Sequence, residues 1–371
     1  MARVRLENVT KKYGWKLAID DLSFENKEGE FLSIIGPAGA GKSTILKMIA
    51  GIEPVTSGKI LFDDYEVNAL SPRERNVAMA FETYNLYSHF SVYENIAFPL
   101  RAPERHEKLT SEEERRRVEE VADFLGIKRL LDRKPVQLSG GEKQRVSLAR
   151  AMVRKCECFL LDEPIAHLDA RLKFSTQTAL KRLSANLGSG IIYVTHDYRE
   201  ALGLSDRIAV LRNGRFEQIG TPQEIYGKPA TDFVADFIGD PPCNLIDGTL
   251  VRNNGITLFQ SGNEFSIPLQ KRNIESAHEI ADGDPDGEIR LGIRPSHVQV
   301  SRERISDHSF QLPIYAIVQR PEGIVITFEL ERCFFRASTK ISDKYSMSEK
   351  IWLDFDQEHT FFFKKTIKIH K

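Results

Sequence analysis

The stretch GPAGAGKST at 36–44 constrains this chain more than any other. It matches the pattern G-x-x-x-x-G-K-S/T. It follows the short apolar run FLSIIG (31–36) and opens TILKMIAGI (44–52), whose apolar residues have helical spacing. Strand, glycine turn, helix is the context that gives this pattern its meaning. Gly36, Gly39 and Gly41 let the backbone around Pro37, Ala38 and Ala40 turn its N–H groups inward toward phosphate oxygens. The helix entered at Thr44 adds its positive N-terminal end. Lys42 is then expected to reach the β- and γ-phosphates, and Ser43 to ligate Mg2+.

A second motif supports the first. In CFLLDEP, Asp162 and Glu163 end an apolar run of strand length. Neighbouring strand residues point to opposite sides, so the two carboxylates are expected to do different work. Asp162 would hold Mg2+, directly or through water. Glu163 would accept a proton from the attacking water, as general-base hydrolysis requires. After a phosphate loop, this pair implies a nucleoside triphosphate hydrolase.

Strand-like and helix-like segments alternate up to about residue 238, which predicts a mainly parallel sheet covered by helices. A more helical stretch, about 85–155, interrupts it. There SEEERRRVEEVADFLGI carries Ser111 and Glu114 in capping-box spacing, then a stripe of Val118, Val121, Ala122 and Leu125. Its ERRR run reads as a solvated face. After GDPPCN the texture changes to short alternating segments separated by turn signals such as NNG (253–255), SGN (261–263), DGDPDG (282–287) and PEG (321–323). This predicts a small antiparallel barrel, or two, over 239–371, with FFFKKTIKIHK as a last strand. The fold class expected is therefore α/β with an appended all-β domain, divided as 1–238 and 239–371.

Composition removes rival classes. A formal net charge of -1 lacks the basic excess of nucleic-acid binders. No run of 18 apolar residues crosses a membrane, and MARVRLENVT reads as the start of a strand, not a secretory signal. The four cysteines fit no zinc spacing; Cys156 and Cys158 read as strand residues.

The string LSGGEKQRVSLARAM (138–152) makes the chain resemble the ATPase subunits of ABC transporters. Ser139, Gly140 and Gly141 would sit at a helix N-terminus, with Glu142 where the family signature LSGGQ ends in Gln. The resemblance implies a P-loop, RecA-like core with a helical subdomain. It also implies that this signature closes on the γ-phosphate of ATP held by a second ATPase subunit, identical or not. By the same resemblance His196 is the switch histidine, Asp169 the aspartate linking the two sites, and Tyr13 the aromatic stacked on adenine. FETYNLYSHFSVYENIAFPL (81–100), the 220–245 stretch and LGIRPSHV (291–298) are similar to the carbohydrate-importer branch, of maltose and glycerol-3-phosphate type. That branch implies two transmembrane permease subunits, an extracytoplasmic solute-binding protein, a peripheral position on the cytoplasmic face, and an oligonucleotide-fold-like regulatory domain. Importers of polyamines or anions share the same core and a similar appendage.

Two departures stand out. Glu82 occupies the family's Q-loop glutamine position, which contacts Mg2+ and the water; a carboxylate still ligates Mg2+ but loses the amide donor. Ala166 and His167 replace the usual Ser and Asn. These changes fit either a fully active subunit or one partner of an unequal ATPase pair.

Overall fold

The computed structural model describes residues 2–101, 109–166, 168, 170–187, 190–253, 255–262, 265–281, 288–330, 333–340 and 344–364. The chain divides into two compact units, Met1–Pro222 and Gln223–Lys371.

In the first unit the elements run β1 (Val4–Tyr13), β2 (Lys16–Asn26), β3 (Phe31–Ile35), α1 (Lys42–Ile49), β4 (Ser57–Phe62), β5 (Tyr65–Glu66) and β6 (Ala78–Ala80). Then come α2 (Val92–Ala97), α3 (Ser111–Phe124), α4 (Gly140–Met152), β7 (Cys158–Asp162), α5 (Ala170–Leu187), β8 (Gly190–Thr195), α6 (Tyr198–Leu204), β9 (Arg207–Arg212) and β10 (Arg215–Gly220). The central sheet has the order β10-β9-β3-β8-β7-β6, parallel except for the β9–β10 hairpin. Its strands are apolar without alternation because both faces are covered. Cys158, Leu160, Ile192 and Val194 face one core with β1, β2 and α1. Phe159, Leu161, Ile191 and Tyr193 face another with α2, α3 and α4. A second, antiparallel sheet follows the order β2-β1-β4-β5.

Val118, Ala122 and Leu125 are buried as the stripe in α3 predicted, and Arg115 and Arg116 pair with Glu119 and Glu120 on the outer face. The cap is one residue earlier than expected. Thr110, not Ser111, accepts from Glu113 N–H, and Glu113 reaches back to Thr110 N–H. Glu114 instead accepts from Arg101 and Tyr93.

The second unit begins with two short helices, α7 (Pro222–Gly227) and α8 (Asp232–Phe237), which the sequence division at 238 had assigned to the first. Val234 and Ala235 of α8 are fully buried. Two antiparallel sheets follow. One has the order β13-β12-β11-β14-β20 and the other β15-β19-β16-β17-β18. Their strands are β11 (Asn244–Asn253), β12 (Ile256–Ser261), β13 (Phe265–Pro268), β14 (Glu288–Ile293), β15 (Val298–Ser301), β16 (Phe310–Arg320), β17 (Gly323–Leu330), β18 (Cys333–Thr339), β19 (Lys350–Phe355) and β20 (Thr360–Lys364). The inward residues of both sheets, among them Leu250, Phe259, Leu291, Ile326, Phe328 and Leu353, form one apolar core. The alternating segments thus build a single two-sheet body. PEG closes the β16–β17 hairpin, with Arg320 opposite Gly323. DGDPDG lies outside the described residues. One helix, α9 (Lys271–Ile280), was not expected. Among the described residues, no helix is long and apolar enough to cross a membrane.

Candidate functional site

The β3–α1 turn is built by its glycines. A Cβ on Gly36 would meet the Leu211 carbonyl oxygen at 2.2 Å, so only glycine lets the turn pass over β9. Gly41 has φ 110°, and a Cβ there would lie 2.6 Å from Ile19 Cδ1. Gly41 also caps α1 without any side-chain hydrogen bond, and the first turn of α1 carries no acid. By contrast α2, α3 and α4 each close their first turn with a complete capping box. The first N–H groups of α1 are therefore kept for a ligand, as anion sites at helix N-termini require.

A cleft of about 840 Å3 opens over this turn. Its walls include Tyr13, Ala38, Gly39, Gly41, Lys42, Ser43, Thr44, Glu82, Glu163 and His196. Pro37 is exposed beside it and Ala40 is buried beneath the turn. Lys42 Nζ donates to the carbonyls of Gly36 (2.9 Å) and Pro37 (3.0 Å). Burial lowers its pKa, opposed by the carboxylates of Glu163, Asp162 and Glu82. A buried ammonium held only by carbonyls and faced by three carboxylates is poised for a polyanion. Tyr13 lies at the rim, half-exposed, with Lys11 Nζ 4.7 Å from its ring centre.

Asp162 and Glu163 diverge, but not by strand alternation. β7 ends at Asp162, and Glu163 takes the left-handed φ of 46°. Its backbone is pinned there: its N–H donates to the Val194 carbonyl (2.9 Å) and its carbonyl accepts from Gln144 Nε2 (3.0 Å). A non-glycine residue in this region costs on the order of 1–3 kcal/mol and persists only when its surroundings impose it. The turn brings Glu163 Oε2 to 2.9 Å from His196 Nδ1.

Asp162 is buried and its Oδ1 accepts from the Ser43 hydroxyl at 3.1 Å. Burial raises its pKa; the Ser43 bond opposes this, and Glu163 and Glu82 add to it. Ser43, Asp162 and Glu82 thus offer only hard oxygen donors beside uncompensated negative charge. This donor chemistry fits Mg2+ and no softer ion.

His196 is followed by Asp197, which caps α6 by accepting from Arg199 N–H. Lys173 bridges Asp197 (2.7 Å) and Glu200 (2.6 Å), and Tyr193 donates to Glu200 at 2.5 Å. This network, buried at Tyr193 and Glu200 and partly exposed at Lys173 and Asp197, holds the end of β8. Sequence reasoning missed it, and also missed the role of Gln144, which lies within the 138–152 string, because these contacts form only once the helices pack on the sheet.

The signature segment lies elsewhere on the same unit. Ser139 caps α4, accepting from Glu142 N–H, and Glu142 accepts from Ser139 N–H at 2.9 Å. Glu142 is thus the third member of a serine–glutamate capping box, a spacing already present in SGGE. Ser139 and Gly140 are exposed, and neither they nor Gly141 line the chain's own cleft. Asp169 and His167 lie outside the described residues. Cys158 opens β7 as expected, whereas Cys156 precedes the strand; burial pushes Cys156 up to about 12 and Cys158 well above its usual value, so both are inert thiols.

A glycine turn over a parallel sheet, a buried lysine, and a carboxylate pair at the end of β7, one strand removed from β3 across β8, define a P-loop nucleoside triphosphatase. The family model of the ABC transporter ATP-binding domain matches residues 19–166. The chain is 44% identical over 328 residues to a xylose/arabinose import ATP-binding protein of Haloferax volcanii, covering 87% of this chain and 82% of that protein. It is 44% identical over 302 residues to an sn-glycerol-3-phosphate import ATP-binding protein of Psychromonas ingrahamii, covering 81% and 76%. A dimeric ATP-binding cassette bound to ADP and phosphate superposes with a TM-score of 0.55 at 33% identity, covering 59% of this chain and 98% of that one. The chain belongs to the ABC transporter family, as one of its ATPases.

Proposed function

We propose that this ATPase energises import of a sugar, polyol or sugar-phosphate-like solute from the cytoplasmic face of a membrane. The carrying observation is that similarity to sugar and sugar-phosphate import subunits runs through most of both units, reaching 87% of the chain in one case. Its partners are a second ATPase subunit, two transmembrane permeases and, through them, an extracytoplasmic binding protein; nucleic acid is not among them.

ATP enters the cleft with its adenine against Tyr13 and its phosphates on the N–H groups of residues 36–44. Lys42 exchanges its carbonyl partners for the β- and γ-phosphates. Ser43, Asp162 and Glu82 would hold Mg2+, which would supply charge neutralisation at the phosphates. Glu163 accepts a proton from water, and His196 orients that water and the γ-phosphate. Gln144 fixes the Glu163 backbone, so movement of α4 bears directly on the base. Because Ser139, Gly140 and Gly141 line no cleft of their own chain, they complete the site of a second copy, and Asp169 has the linking role between the two sites that the family resemblance implies. Closure of the two copies excludes water and strengthens every electrostatic contact inside. The exposed aromatic patch around Tyr87 and Phe98, whose ring centres are 4.7 Å apart, passes this movement to the permeases. Arg150 ties it to α4 through the carbonyls of Tyr84 and Asn85. The second unit, with α7 and α8, serves as the regulatory domain, and the stretch of about 85–155 as the helical subdomain.

Glu82 favours a second reading, in which this chain pairs with a non-identical ATPase and the two sites turn over unequally. Purification with its membrane partners and ATP-driven uptake of a pentose, maltose and glycerol-3-phosphate tests the proposal. Uptake of one of these, lost in Lys42→Ala, is expected. Uptake of polyamine or inorganic anion alone would overturn the solute class. Brisk hydrolysis by the isolated homodimer would overturn the unequal pair.

A further inference from the structure

Two connections between the sheets of the second unit run side by side. One leaves β14 and enters β15 through Arg294 to His297; the other leaves β19 and enters β20 through Asp356 to His359. The Asp356 N–H donates to the His297 carbonyl at 3.1 Å. The flanking strand pairs, Val298 with Phe355 and Ile293 with Thr360, fix this register on both sides. The result is that His297, Asp356 and His359 each bring one ligand atom within 4.8 Å of the others.

The two imidazoles are stacked, with ring centres 3.9 Å apart and planes 9° from parallel. His359 Nδ1 lies 2.7 Å from Asp356 Oδ2, and His297 Nδ1 lies 3.9 Å from the same oxygen. Two cationic rings in this position would repel. Burial lowers the His297 pKa, and His359 and Arg294 lower it further against Asp356. Neutral imidazole is the form that ligates metals. Burial opposes ionisation of Asp356, yet the His359 hydrogen bond and the Glu358 N–H hold its pKa below the usual range. That N–H, 3.0 Å from Asp356 Oδ1, also orients the carboxylate, as outer partners of metal ligands do.

The geometry points to a binding site for one divalent ion of the zinc class at Asp356, flanked by His297 and His359; the half-exposed His359 ring swings off the His297 face so that both in-plane lone pairs reach the ion, which then staples the two inter-sheet connections. Two imidazole nitrogens and one carboxylate oxygen suit Zn2+, Ni2+ or Cu2+, and are poor partners for Mg2+ or Ca2+. Three protein ligands leave a position for water. The ion has access from solvent, since the three side chains are 29%, 32% and 50% exposed. It takes the place of the proton between His359 Nδ1 and Asp356 Oδ2, which is released to solvent. The site shares no residue with the nucleotide cleft, so its fate is independent of the transport reading.

Titration of the nucleotide-free full chain with Co2+, followed by back-titration with Zn2+, tests this. One Co2+ per chain is expected, with the visible absorption of low-coordinate Co2+, displaced by Zn2+. Asp162→Asn, which removes a carboxylate from the nucleotide cleft, leaves the band unchanged. His297→Asn and His359→Asn each weaken binding by at least about tenfold. His359 is half-exposed, so His359→Asn with an unaltered circular dichroism spectrum and unaltered ATP hydrolysis is the deciding variant. Absence of the band, or its survival at full strength in both histidine variants, overturns the site.

Discussion

The nucleotide cleft and the two-sheet body of the second unit are built to opposite rules. The sheets bury one continuous apolar core, and their hairpins close their own hydrogen bonds. The cleft instead holds Glu163 at φ 46°, leaves the first turn of α1 uncapped, and gathers Asp162, Glu163 and Glu82 without a neutralising cation of equal charge. Among the described residues, buried side-chain polar atoms without a partner include Asn26 Oδ1 on β2 and Gln144 Oε1 and Ser147 Oγ on α4, all in the first unit. In the cleft, strain at Glu163 and unmatched charge mark where a nucleotide completes the structure; the apolar core of the second unit is satisfied without one.

Substitutions can break this contrast, the largest effects coming first. Lys42→Ala and Glu163→Gln should each cut ATP hydrolysis by at least about a hundredfold while leaving thermal unfolding of the second unit unmoved. Leu353→Ala, in the fully buried core of the second unit, should cost about 2–5 kcal/mol of that unit's stability. Hydrolysis per folded chain should stay within about twofold; a collapse of activity would mean the two units are not separable in function. Asp162→Asn should abolish hydrolysis yet raise the melting temperature of the nucleotide-free chain by about 2–4 °C, as ~1 kcal/mol does in a unit this size. Its sign follows from the raised pKa of Asp162. An acid whose folded pKa exceeds its unfolded one favours folding below the unfolded value, and loses that contribution as pH rises through the folded value. The gain from Asp162→Asn should therefore be present at about pH 8 and vanish near pH 4. Glu82→Gln should have the smallest effect, keeping basal hydrolysis or raising it up to about threefold. A large loss in steady-state turnover would give Glu82 a dedicated role.

The same contrast explains what could be read from the sequence. The cleft was legible because its chemistry needs fixed residue types at fixed spacing. GPAGAGKST, FLLDEP and LSGGE each specify a turn or a strand end by local backbone demands, and Tyr13, Glu82 and His196 meet Lys42 in one cleft. What held those residues was not legible. Gln144 meets the Glu163 carbonyl, and Lys173 meets Asp197 and Glu200, only after helices pack on the sheet. The second unit showed its strands through alternation and turns. Its α9 was hidden: KRNIESAHEI has mostly polar residues, with Asn273 and Ala277 buried and Ile274 and Ile280 only partly buried against the core, and Asn273 donates to the Gln357 carbonyl and Thr360 Oγ1. GDPPCN is the compositional break in the sequence, while the compact units part earlier, at the start of α7. The capping box of α3 slipped by one residue because Thr110-Glu113 and Ser111-Glu114 satisfy the same spacing, and Arg101 and Tyr93 claim Glu114.

The account rests on a site shared between two copies, one giving residues 36–44 and the other its Ser139–Gly141 helix cap. Light scattering after size exclusion, on Glu163→Gln chains with and without ATP, tests it most directly. A monomer that becomes a dimer with ATP is predicted, and Ser139→Arg added to the same chains should abolish the dimer although Ser139 lines no cleft of its own copy. A chain that stays monomeric with saturating ATP, or a dimer untouched by Ser139→Arg, would contradict it.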